Sequence, residues 1–114
     1  MPIIVAQPLG RVPTFPELKA LASQHGVQLS GDASAGEFQH PAGVTGNYVV
    51  EAAGVLRGQF VGRILGKMTG TFVFKLGQAE VTITEKPFLL PEPILKSKLA
   101  EALTEFCAQF PPVS

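Results

Sequence analysis

The chain is poor in the residues that most often carry chemistry. Among 114 residues there is no tryptophan, one tyrosine, one cysteine and two histidines. A lone thiol, Cys107, excludes an intramolecular disulfide and fits a reducing compartment. It lies in an apolar helical stretch, so it reads as a packed thiol rather than a reactive one. Charge is scarce too: 16% of residues, against roughly 25% in an average globular domain. Nine basic residues balance nine acidic ones. Phosphate backbones are bound by a basic surplus or patch, and the densest basic groups are only Arg57, Arg63 and Lys67, then Lys96 and Lys98. Nucleic acid is therefore not the expected partner. No window of 18 apolar residues exists, so no transmembrane segment is expected. The opening Met1 to Pro8 has no basic leader, which reads as no signal peptide and a cytoplasmic location.

Catalytic and metal motifs are missing as well. His25 and His40 are not at metal-ligand spacing, and no cysteine accompanies them. Gly66-Lys67 superficially suggests a phosphate loop, but Met68 stands where serine or threonine is needed and the first glycine is misplaced by one residue. No serine has the context of a nucleophile elbow. Of the carboxylates, Glu17 reads as a helix cap, Glu80 as solvent-facing, and Glu101 and Glu105 as helix surface. Glu37 and Glu51 fall on candidate strands and could oppose one another as an acid pair. These absences lead us to expect no enzyme activity and no cofactor.

What the chain does have is apolar: 46% hydrophobic residues, enough to exclude a disordered polymer. Its length fits one domain over residues 1–114, burying roughly two-thirds of its unfolded surface without a staple. Ile3 to Ala6 reads as a first strand. Thr14-Phe-Pro-Glu17 has the form of a capping box, and Phe15, Leu18, Leu21 and Ala22 follow at helical spacing. Gly26 then stops a helix of about 15 to 25.

From Val27 to Glu85 the period shortens to two. Val27–Ser30, Glu37–Gln39, Gly46–Ala52 and Arg57–Val61 are candidate strands. The clearest hairpin is Thr71–Leu76 with Ala79–Glu85, turning on Gly77-Gln78. It places Phe72, Phe74 and Leu76 on one face. The segment holding Phe60, Ile64, Leu65 and Met68 reads as an insertion on the core or as an apolar flap. Glycines 43, 46, 54, 58, 62, 66, 70 and 77 predict either a strongly curved sheet or close approach of a ligand to the backbone. Lys86 to Pro93 ends the sheet, with Phe88-Leu89-Leu90 as a second apolar run. Ile94 to Gln109 then forms a long helix whose stripe is Leu95, Leu99, Ala102, Leu103 and Phe106, continued by Phe110. The fold expected is α+β: a curved, glycine-rich antiparallel sheet gripping a long C-terminal helix, with a shorter N-terminal helix.

In this order of elements the chain resembles the polyhydroxyalkanoic acid system protein family. The resemblance runs from about Phe15 to Phe106 and rests on Gly26-Val-Gln-Leu with Gly36-Glu-Phe-Gln-His-Pro-Ala-Gly43-Val-Thr-Gly46, on Gly70-Thr-Phe-Val-Phe with Glu80-Val-Thr-Ile-Thr, and on Pro87-Phe-Leu-Leu leading into the last helix. The segment around Glu51 to Thr69 and the Pro-Glu-Pro-Ile helix start depart from the pattern. The resemblance implies an accessory role in storage-polyester systems, with no catalytic residues.

Two functions follow as expectations. One is a binding or accessory protein for an apolar small molecule or granule surface, with Tyr48, Phe60, Phe72, Phe74, Leu99 and Phe106 lining the site. The other is a homo-oligomeric structural or regulatory module, joined through strand edges and the 60–68 segment.

Overall fold

A computed structural model describes residues 3–52, 54–63, 66–86 and 89–111. Nine elements follow one another: β1 (Ile3–Gln7), α1 (Phe15–Gln24), β2 (Gln28–Gly31), β3 (Ala35–His40), β4 (Val44–Val50), β5 (Leu56–Arg63), β6 (Lys67–Lys75), β7 (Gln78–Glu85) and α2 (Glu92–Ala108). The strands form one antiparallel sheet in the order β1-β7-β6-β5-β4-β3-β2. Strands β2 to β7 are a meander, and β1 joins beside β7 at the far edge. The connection from β1 to β2 must therefore cross the whole sheet, and α1 is carried across one face by that constraint. This is the α+β, helix-gripping arrangement expected.

Six strand spacings of ~4.8 Å make a sheet roughly 29 Å wide, whereas one helix covers roughly 10 Å. Helix α2 takes the β1/β7 side. Leu95, Leu103, Cys107 and Phe110 pack there with Ile3, Val5, Leu9, Ala79, Val81 and Ile83, and these residues are the core. The Cys107 thiol is buried, and burial pushes its pKa up. Helix α1 touches the sheet mainly at β2 and has no fully buried residue. Between the two helices, the face of β3 to β6 is left without a packed layer above it.

The local signals act as expected at the first helix. The Glu17 N–H donates to Thr14 Oγ1 (3.4 Å), and the Thr14 N–H donates to Glu17 Oε1 (3.0 Å). Gly26 takes φ +72°, a conformation that favours glycine, just beyond the His25 cap. Arg11 adds what the motif did not announce: its two terminal nitrogens donate to Glu17 (2.6 and 2.5 Å), and its guanidinium lies 5.4 Å from the centre of the Phe110 ring. That clasp joins the start of α1 to the end of α2.

Four expectations need correction. The β6–β7 turn is Leu76-Gly77, because Lys75 pairs with Gln78, and Gly77 holds the positive φ of +94°. Leu76 consequently sits in the turn and is 79% exposed instead of facing the core. Phe60 and Met68 are not on a flap: they lie in β5 and β6, Phe60 paired with Gly46 and Gly70 on its two sides and Met68 with Gly62. Ile64 and Leu65, like Phe88, fall outside the described residues. Glu37 and Glu51 do not oppose each other, since Glu37 pairs with Asn47 and Glu51 forms an ion pair with Arg57.

The interior glycines have a specific cause. Directly across the ladders, Gly36 faces Tyr48, Gly46 faces Phe38, Gly58 faces Phe72 and Gly70 faces Phe60. A Cβ at any of these glycines would collide with the ring opposite. At these four positions the sheet's own aromatics make the close approach, lying flat over bare backbone in the manner of aromatic rescue.

Candidate functional site

Rings that lie flat take up little height above the sheet, and height is what separates a packed interface from a hollow one. Five rings form a continuous file from the sheet onto α2: Phe38–Phe72 at 6.1 Å between centroids, Phe72–Phe74 at 5.3 Å, Phe74–Phe106 at 5.0 Å and Phe106–Phe110 at 5.1 Å. Above the strand portion of this floor lies a cavity of about 580 Å³, walled by the sheet, α1 and α2.

All six residues anticipated as lining, Tyr48, Phe60, Phe72, Phe74, Leu99 and Phe106, stand on the wall of this one cavity. Leu18, Leu21 and Ala22 of α1 form its roof, and Leu29, Phe38, Leu56 and Val81 complete the floor. Tyr48 contributes only its ring. Its hydroxyl donates to the Asp32 carbonyl at 2.7 Å, the side chain is 4% exposed, and burial followed by the nearby Asp32 charge raises its pKa. Asp32 is in turn fixed by the N–H groups of Ser34 (2.8 Å) and Ala35 (3.1 Å), which hold its carboxyl below the usual carboxylate range. A local turn thus anchors the tyrosine that closes this part of the wall.

Among the described residues, polar lining is confined to His25, His40, Glu105 and Gln109. His25, Ala102, Glu105 and Gln109 are exposed, so the cavity opens to solvent between α1 and α2. His25 and His40 lie where the end of α1 meets the β3–β4 turn; a Cβ on Gly26 would rest 3.8 Å from Pro41. His40 Nδ1 accepts the Ala42 N–H at 2.9 Å, which leaves Nε2 to carry the proton of the neutral ring. Sequence spacing could not bring these two histidines together, because their proximity depends on α1 crossing the sheet. Phe38 was also unannounced. Its alternation within a six-residue strand was the available signal.

The opposite face of the sheet has a second concavity of about 630 Å³. Gln28, Gln39, Thr45, Asn47 and Gln59 are among its lining, and none of its polar side chains is buried. It is a solvated face. Among the described residues, no group of three or more His, Cys, Asp or Glu could hold a metal ion, and no helix is long and apolar enough to cross a membrane. No family model, no curated protein and no solved structure matches the chain.

Proposed function

We propose that this chain is a non-enzymatic binding protein that holds an apolar or amphiphilic small molecule between its sheet and its two helices. One observation carries the reading: the 580 Å³ cavity, in which all but four of the nineteen lining residues are apolar or aromatic. That volume falls within the roughly 300–1,000 Å³ range of small-molecule sites. Apolar walls around a hollow forfeit the dispersion contacts that a filled core makes. A ligand chain restores them. The storage-polyester role implied by the family resemblance is a narrower form of this reading, in which the chain bound would be a hydroxyacyl one.

The test is titration with N-phenyl-1-naphthylamine, an uncharged dye that brightens in apolar surroundings. Saturable binding of one dye per chain is expected, and Ala102→Trp, which puts an indole into the exposed mouth, should remove it. A dye signal that never saturates, or that is unchanged in the tryptophan variant, would sink the cavity reading.

A further inference from the structure

The charge around the cavity says more about its ligand than its shape does. The chain has nine basic side chains, and none of them lines the cavity. Arg11 is committed to Glu17 and the Phe110 ring, Arg57 to Glu51, and the Lys86 ammonium to the Leu90 carbonyl at 2.8 Å. Among the described lining residues the one carboxylate is that of Glu105, and it is exposed. Proteins that hold a carboxylate or phosphate headgroup do so with charge-assisted donors, usually arginine or lysine. Here an anionic head would meet a like charge and no cation.

The remaining rim groups suit a different head. A neutral His40 with its proton on Nε2 donates to a carbonyl or ether oxygen. Gln109 both donates and accepts, and Glu105 accepts from a hydroxyl. The two groups of polar residues lie apart: His25 is at the end of α1, whereas Glu105 and Gln109 flank Phe106 near the Arg11–Glu17 clasp at its beginning. Ten helical residues separate these ends by about 15 Å, so the ligand would be an elongated molecule.

We propose, building on the binding function above, that the cavity selects uncharged amphiphiles. Such a ligand is an apolar chain lying on the aromatic floor, with ester, carbonyl or hydroxyl oxygens at the rim, and free fatty-acid anions are discriminated against.

The experiment is displacement of bound N-phenyl-1-naphthylamine at pH 8. The competitors are monolaurin and laurate, which share one acyl chain and differ in head charge. Monolaurin is expected to displace the dye at a concentration roughly fivefold or more below that of laurate. Glu105→Arg, an exposed helical position where substitution perturbs folding little, supplies the missing cation and should reverse or abolish that preference. Equal displacement by both competitors in the native protein would overturn the proposal, as would an unchanged ratio in Glu105→Arg. Failure of the dye itself to bind is a different result, and removes the cavity reading on which this proposal rests.

Discussion

Glu17 closes the capping box with Thr14 and also accepts from both terminal nitrogens of Arg11. The Arg11 hydrogen bonds, then the Thr14 backbone N–H, hold its carboxyl at about 2, against an ordinary 4.5. A carboxyl depressed in the folded state stabilises the fold above its unfolded pKa, and that stability is lost as pH falls through the folded value. The window here runs from about 4.5 down to about 2. Thermal midpoints followed by circular dichroism should fall across it, with Asp32, also depressed, adding to the same limb. Glu17→Gln should start lower at neutral pH and show a shallower fall; an equally steep fall would remove Glu17 from the account. The glycine–aromatic pairs are a second residue-scale feature. Gly58→Ala should cost ~1–3 kcal/mol by overpacking, since its Cβ would meet both the Asn47 carbonyl oxygen and the Phe72 ring. Combined with Phe72→Ala, the two losses should add to less than their sum, with coupling on the order of 1 kcal/mol in urea unfolding. Additive losses would mean that the Asn47 carbonyl, and not the ring, sets the cost of a Cβ at that glycine.

The apolar stripe of helix α2 has two stretches with different duties. Leu103 is buried in the core, while Leu99, one turn earlier, is half-buried on the cavity wall. Leu103→Ala should therefore cost ~2–5 kcal/mol. Leu99→Ala should cost only about 1 kcal/mol, because its side chain already faces a hollow. Equal costs in chemical denaturation would show the helix–sheet interface to be filled at Leu99. Helical spacing alone put both leucines on one stripe, and it could not divide that stripe, since the division depends on where α2 lies across a seven-stranded sheet. Much else at this scale was legible. The capping box, the two helices and the strand faces of Phe72, Phe74, Val81 and Ile83 all follow from period and punctuation. Residues 56–63 and 67–70 were less legible, because their small and basic residues interrupt the alternation; their alternate glycines make sense only beside the rings of the next strand. The six anticipated cavity residues are aromatic or leucine on strand and helix faces, hence readable. His25, His40 and Phe38 depend on contacts made over long stretches of chain.

At the scale of the whole molecule, stability is distributed unevenly. The β1/β7/α2 side holds nearly all the buried apolar side chains, whereas α1 has none and roofs a hollow. Its attachments are the Arg11–Glu17 clasp at its start and contacts with β2 near its end. Local opening free energies follow buried contact, and elements that admit ligands are drawn from the weak end of that range. Native-state hydrogen exchange should accordingly find the α1 amides exchanging well before those of β6 and β7, through openings that leave the sheet intact. A ligand in the cavity would restore the contacts α1 lacks, so saturating N-phenyl-1-naphthylamine should slow exchange in α1 more than in α2. Amides of α1 as protected as those of β7 in the free protein would mean that the roof is built into the core. The arrangement that makes α1 the weak element is the same one that makes the cavity: a sheet wider than one helix can cover, with the crossing connection laid over the remainder.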